Sequence, residues 1–102
     1  MKHAQANPTS AATNANIVPA VSGRMIRLQG VYISSDTATS VTLQNSTTHG
    51  TLLWKQNVAA NGGVVSGFTE GINLGQTLVG EGFDYTTADD ADVFILVAYE
   101  VV

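Results

Sequence analysis

The sequence predicts a single all-β domain built from about eight short strands and preceded by a flexible N-terminal arm. Short runs rich in Val, Ile, Leu, Thr and aromatic residues recur from residue 15 onwards. Gly, Asn, Ser and Asp separate these runs, and almost no stretch has the spacing of a helix. A chain of 102 residues also has the size of one compact domain. Strands spaced by roughly ten residues are typical of a β-sandwich or barrel.

The first segment of the chain differs from the rest in composition. Residues 1–14 are rich in Ala, Asn, Thr, Ser and Gln, and contain no large apolar side chain beyond Met1. Such a segment buries too little apolar surface to order itself. We therefore expect an arm over residues 1–14 and a folded domain over residues 15–102. The arm either stays mobile or orders against a neighbouring subunit or a host surface.

The first two strands are predicted on either side of a Ser-Gly turn. Residues 17–21 form a short strand, which Pro19 confines to a sheet edge or an irregular pairing. Residues 24–34 form a longer strand whose apolar positions change parity across Gly30. A β-bulge produces such a change, because one extra residue turns the following side chains to the opposite face. The apolar positions concerned are Ile26, Leu28, Val31 and Ile33.

The later strands lie between turns that contain Asn, Gly or Asp, residues suited to tight reversals of the chain. In chain order they are predicted at residues 41–44, 51–58, 63–68, within 71–79, at 82–86 and at 93–101.

The last predicted strand is apolar at nearly every position. The run from Val93 to Ala98 contains no polar residue, which indicates a strand covered on both faces. A strand of a two-layer sandwich ordinarily shows one face to water. The sequence therefore predicts that a second subunit covers the outer face; the alternative is that the N-terminal segment or a loop covers it within one chain.

Composition excludes several classes of function. Four basic residues stand against eight acidic ones, so the clustered positive charge that phosphate binding needs is missing. Only 12% of residues are charged and 44% are hydrophobic, which favours a surface partly covered by partners. Cysteine is absent, and no apolar run reaches the roughly 20 residues of a membrane helix. We expect a soluble protein made in the cytoplasm, with no nucleic-acid or membrane partner.

No combination of residues predicts a catalytic or metal site. His3 and His49 are the only histidines, and zinc sites require more nitrogen and sulfur ligands than these provide. His49 lies in a predicted turn, where we expect an exposed histidine rather than the base of a catalytic triad. Glu81 and Asp84 are three residues apart, so on a strand they face opposite sides and cannot act as an acid and base pair.

The acidic loop and the single tryptophan each allow two interpretations. Asp89, Asp90 and Asp92 form either a solvated acidic turn that discourages edge-to-edge pairing or a loose cation site shared between subunits. Trp54 follows two leucines and is either a core or interface anchor, or an exposed ring on which a sugar stacks.

Several segments resemble a family of small tailed-phage virion proteins. Ile17–Leu28, read Ile-Val-Pro-Ala-Val-Ser-Gly-Arg-Met-Ile-Arg-Leu, resembles the opening of that family, and Ala59–Gly63 is similar to its Ala-Ala-Asn-Gly-Gly turn. The close at Tyr99–Val101 is also similar, whereas Phe68–Gly71 matches only approximately. The resemblance implies a jelly-roll sandwich, trimeric association and a role as a capsid decoration (cement) protein or a related fibre or knob component.

The expected function is therefore a structural virion protein, not an enzyme, that decorates a capsid surface as a homotrimer. Its other partner would be the major capsid protein or another virion protein, and no cofactor is expected. The alternative is a carbohydrate-binding or receptor-binding knob of a tail fibre, in which Trp54, Tyr32 or Tyr85 would cluster on one exposed face. The residues predicted at the subunit interface are Phe94, Leu96, Tyr99, Trp54, Ile17 and Val18.

Overall fold

The computed structural model describes residues 1–49 and 51–102. Within them the chain forms an all-β sandwich of two antiparallel sheets, which confirms the predicted fold class. The strands are β1 (Lys2–Ala6), β2 (Ala12–Val18), β3 (Ile26–Ser35), β4 (Thr39–Asn45), β5 (Leu52–Val58), β6 (Gly62–Gly67), β7 (Gly75–Gln76), β8 (Phe83–Thr87) and β9 (Val93–Val101). The described residues contain no helix long and apolar enough to cross a membrane.

The strands divide between two layers. Sheet A has the order β1-β9-β3-β6, with the short β7 beside β3, and sheet B has the order β2-β8-β4-β5. The chain crosses from one sheet to the other at every connection except β4–β5 and β6–β7. Neighbouring strands in each sheet are therefore mostly distant in sequence, which makes most contacts long-range.

The core lies between the two sheets and is built from alternate residues of the strands. On sheet A these residues come from β3 and β9, and on sheet B from β2, β4, β5 and β8. Their period of two follows from the pleat of a strand, which sends successive side chains to opposite faces. The core side chains that are fully shielded from solvent include Ile26, Leu28, Ile33, Val41, Leu43, Phe83, Ile95 and Val97.

The predicted bulge in the long strand is present. Leu28 pairs with Tyr99 and Gly30 pairs with Ala98, which leaves Gln29 as the extra residue of β3. The inserted residue turns the next apolar positions back toward the core, so that Leu28 and Val31 are both buried there.

The N-terminal segment differs from the expected flexible arm. Lys2–Ala6 pairs with β9 along its whole length, and β2 already begins at Ala12. Only Ala4 and Ala6 of this edge strand pack against the core. Backbone hydrogen bonds need no large side chain, so an alanine-rich and polar segment can complete a sheet that its own apolar content would not predict.

The last strand lies inside sheet A, between β1 and β3. Ile95 and Val97 are completely buried in the core, while Phe94 and Leu96 lie on the opposite face and are only half-buried. The inner face of β9 is thus completely covered by the core, and both of its edges are paired with strands of the same chain, β1 and β3. Its outer face remains partly open to solvent.

The glycine-rich segment after β6 contains a strand, as predicted within residues 71–79, but the strand is short. Only Gly75–Gln76 pairs regularly with β3. Single bonds continue the contact on both sides, from the Leu74 N–H to the Leu28 carbonyl and from the Thr77 N–H to the Ile26 carbonyl.

Candidate interaction surface

The outer face of sheet A carries four apolar side chains from three neighbouring strands. Tyr32 of β3 pairs with Leu96 of β9 on one side and with Val65 of β6 on the other. Phe94 lies two residues before Leu96 on the same face. Tyr32 is 37% exposed and Val65 is 65% exposed. We call this set, Tyr32, Val65, Phe94 and Leu96, the apolar face.

Two rings of the apolar face pack against each other. The centroids of Tyr32 and Phe94 are 5.8 Å apart, and the ring planes meet at 65° in an edge-to-face arrangement. This geometry is favourable for aromatic pairs, and it holds both rings in place on the sheet. Rigid aromatic side chains lose little conformational entropy when a partner covers them, which suits them to an interface.

A groove opens at one end of the apolar face. It has a volume of about 390 Å³ and is bounded by the ends of β3 and β9 together with the loops that follow β1, β3 and β5 and the loop that precedes β9. Phe94 and Ser34 form part of its wall, so the groove is continuous with the apolar face. The remaining lining residues are Asn7, Pro8, Thr9, Ser35, Asp36, Asn61, Gly62, Asp92 and Val93.

Two aspartates hold the walls of the groove together. The Asp92 N–H donates to Asp36 Oδ1 at 2.9 Å, and the Asp36 N–H donates to the Asp92 carbonyl at 3.2 Å. The Val93 N–H donates to the Pro8 carbonyl at 3.0 Å, which adds the β1–β2 loop to the same structure. Within the described parts of the chain neither aspartate forms an ion pair.

The loop between β4 and β5 is fixed by a largely buried carboxylate. Glu81 Oε1 accepts the N–H groups of Thr47 and Thr48, both at 2.8 Å, and Oε2 accepts the Thr48 hydroxyl at 3.2 Å. The Thr48 N–H in particular lowers the pKa of Glu81; burial opposes this effect, while the other two bonds and the nearby His49 add to it. Glu81 is therefore a structural acceptor in its charged form.

His49 is not the freely exposed loop histidine that the sequence predicts. Its Nε2 lies 3.0 Å from Asp84 Oδ2, and its side chain is 38% exposed. The other oxygen of Asp84 accepts the Asn16 amide at 3.0 Å. The Glu81 bonds thus join two loops, and the Asp84 bonds join β8 to His49 and to Asn16 of β2.

The predicted interface residues do not share one surface. Phe94 and Leu96 belong to the apolar face. Tyr99, Trp54 and Ile17 are half-buried and pack against the core. Val18 is 1% exposed and lies within the core, so its assignment to an interface is wrong; β2 directs this residue inward, and no second subunit can reach it.

The aromatic residues of the sugar-binding alternative are also separated. Tyr32 is on the apolar face of sheet A, whereas Tyr85 and Trp54 lie in sheet B and pack against the core. These three rings therefore form no shared exposed platform.

All three aspartates of the acidic loop after β8 are exposed. Asp89, Asp90 and Asp92 face solvent, and Asp90 Oδ1 accepts the Ala11 N–H at 2.8 Å. Outside the undescribed position 50, no three His, Cys, Asp or Glu side chains are grouped as metal ligands.

Sequence reasoning missed Val65 altogether and named Tyr32 only for the sugar-binding alternative. Tyr32 lies on the opposite parity from the core residues of β3, and Val65 lies between the half-buried Val64 and Ser66. That alternation was the available signal. Their meeting with Phe94 and Leu96 depends on β3 lying between β6 and β9, which no local pattern specifies.

Comparisons with protein-family models, with curated proteins and with solved structures give no match for this chain.

Proposed function

We propose that this protein is a structural component of a phage particle, a capsid decoration (cement) protein that works as a homotrimer. The observation that carries the proposal is the apolar face, where Tyr32, Val65, Phe94 and Leu96 meet on the outside of a small sandwich. Contiguous exposed apolar surface on a soluble protein marks a site of association. The sequence resemblance described above supplies the class of assembly.

The strand order supports the jelly-roll part of this proposal. The two orders β1-β9-β3-β6 and β2-β8-β4-β5 place the first and last strands side by side in one sheet. The second and penultimate strands lie side by side in the other. Jelly rolls are double-sheet sandwiches with Greek-key connections of this general kind.

The exposure of the apolar face also supports self-association. Val65 lies on a regular strand and is nevertheless 65% exposed. The nearby rings of Tyr32 and Phe94 are already held in place by their contact with each other. A second copy that covers this face would remove apolar surface from water at a gain of about 25 cal/mol per Å². A 102-residue chain buries a modest core of its own, so that such a contact adds usefully to its stability.

Multi-angle light scattering after size-exclusion chromatography tests the proposal directly. We expect a mass three times that of the 10.6 kDa chain and dissociation of the trimer in the Val65→Lys variant. The matched control is Leu52→Lys, because Leu52 is 55% exposed but lies in β5 of sheet B. A wild-type monomer at micromolar concentration, or equal dissociation in both variants, would contradict the proposal.

Binding to the particle requires a separate experiment. Purified protein is mixed with phage heads that lack decoration proteins, and the bound fraction and the resistance of the heads to heat are measured. We expect saturable binding that makes the heads more heat-resistant. Binding without any gain in heat resistance would argue against a cement role.

A further inference from the structure

One end of the sandwich carries a concentration of negative charge. Four loops meet there, at residues 7–11, 36–38, 59–61 and 88–92. They contain four of the eight acidic residues and none of the four lysines and arginines. We call this the acidic end; its charged residues are Asp36, Asp89, Asp90 and Asp92.

The groove lies within the acidic end. Asp36 and Asp92 line it together with Asn7 and Asn61, and Phe94 forms part of the wall. Its volume of about 390 Å³ is in the range of ligand sites. A concave site with charge of one sign along its walls concentrates the field and attracts ions of opposite charge.

We infer that the groove receives a guanidinium group, the side chain of an arginine on a basic segment of the partner protein. A guanidinium has five N–H donors and no acceptor, which matches a groove lined by two aspartates and two asparagines. Its flat cation also packs favourably on an aromatic ring such as Phe94. A neutral saccharide would leave the charge of both aspartates without compensation.

The occupant is a different protein rather than a second copy of this chain. The chain has two arginines that could supply a guanidinium, and Arg27 forms an ion pair with Glu100 at 2.8 Å. Arg24 donates to the Val102 carbonyl at 3.0 Å and to the Val101 carbonyl at 3.4 Å. Both arginines are therefore engaged within their own chain, and a second copy would have to break these contacts to place a guanidinium in the groove.

This inference deepens the proposed function, because Phe94 belongs to both the apolar face and the groove. It rests on that proposal for the identity of the partner, a protein of the capsid shell. The chemistry of the groove itself depends only on the charges and side chains that line it.

The test is a titration of the isotope-labelled protein, followed by nuclear magnetic resonance, with the peptide acetyl-Gly-Arg-Gly-Arg-Gly-amide. The comparison peptide has Gln in place of Arg. We expect the arginine peptide to shift the backbone signals of Asp36, Asn61 and Asp92 with a dissociation constant that rises with salt. The glutamine peptide should bind at least fivefold more weakly, a difference of about 1 kcal/mol.

Variants place the binding in the groove. Asp92→Asn removes one charge from the wall and keeps its backbone bonds, and we expect it to weaken the arginine peptide about two- to fivefold. Glu70→Gln is the matched control, because Glu70 is an exposed carboxylate outside the loops of the acidic end and its loss should leave the affinity unchanged.

Three outcomes would overturn the inference. They are equal binding of both peptides, equal weakening by Asp92→Asn and Glu70→Gln, and shifts of the groove signals by glucose, galactose or N-acetylglucosamine but not by the arginine peptide. Light scattering on the same samples separates the two proposals. A monomer that selects arginine contradicts the trimer alone, and a trimer that does not select arginine contradicts the groove inference alone.

Discussion

The ring of Phe68 lies directly over Gly30, on the outer side of sheet A. A β-carbon added at Gly30 would come within 2.7 Å of the ring carbons Cγ and Cδ1. Phe68 itself has a φ of 65°, a left-handed conformation that few non-glycine residues adopt. Its N–H donates to the Gln29 carbonyl at 2.8 Å. The bulge, the glycine after it and the aromatic ring therefore form one unit.

Gly30→Ala should destabilise the fold, because the new methyl group and the Phe68 ring cannot occupy the same space. Overpacking of this kind costs roughly 1–3 kcal/mol, measured as the free energy of unfolding in urea. Gly63→Ala is the control, since a β-carbon there meets its neighbours no closer than 3.4 Å. Equal stabilities of the two variants would show that the ring moves aside at little cost.

Glu81→Gln should lower the stability at neutral pH and reduce its dependence on acid. The folded-state pKa of Glu81 is lowered from 4.5, so the charged form stabilises the fold above pH 4.5. That contribution is lost as the pH falls through the folded-state pKa. The difference between the wild type and the variant should therefore shrink between neutral pH and pH 3 in urea titrations.

The exposed Glu70, with an 84% exposed side chain, provides the control for the acid experiment. Glu70→Gln should leave the stability unchanged at both pH values. A constant gap between the wild type and Glu81→Gln across the pH range would show that the bonds to Thr47 and Thr48 do not depend on the charge.

The two faces of β9 should respond differently to truncation. Ile95 is fully buried, so Ile95→Ala leaves a cavity in the core and lowers the free energy of unfolding by roughly 2–5 kcal/mol. Leu96→Ala, on the apolar face, should instead raise the dissociation constant of the oligomer and affect folding of the monomer less. Identical effects of both substitutions on monomer unfolding would mean that the outer face is packed within the single chain.

The N-terminal strand can be tested by comparing neighbouring residues. Ala4 packs against the core and Gln5 is exposed, so Ala4→Lys should lower the melting temperature, at a cost of about 1–3 kcal/mol for forcing a charged chain toward the core. Gln5→Lys should change the stability by less than about 0.5 kcal/mol. If both variants have the same melting temperature as the wild type, β1 contributes nothing to the stability of the sandwich.

The sequence predicted a good part of this fold because strands carry their own local signals. Alternation identified β4, apolar composition identified β9 over its full length, and the parity change at Gly30 identified the bulge. Pro19 indicated an edge strand, and β2 lies at the edge of sheet B, although it covers Ala12–Val18 rather than the predicted residues 17–21. Each of these features depends on side chains within a few residues of one another.

Other features depended on contacts between distant residues, which local patterns cannot specify. Lys2–Ala6 became a strand because the free edge of β9 offered backbone partners. His49 met Asp84 because the β4–β5 loop lies against the start of β8. Val18 and Phe94 are both apolar residues of predicted strands. Only the arrangement of the sheets decided that Val18 lies in the core and Phe94 on the outer face.

By itself, then, the sequence determined most of the strands, the turns between them and the scarcity of charge, since these follow from residue type and spacing. Tertiary structure alone decided that Tyr32, Val65, Phe94 and Leu96 form one apolar face and that Asp36 and Asp92 line one groove. The physical reason is that antiparallel pairing within a sheet joins residues as far apart in sequence as Lys2 and Tyr99. Their proximity follows from the register of the strands, which is established only when the whole core packs.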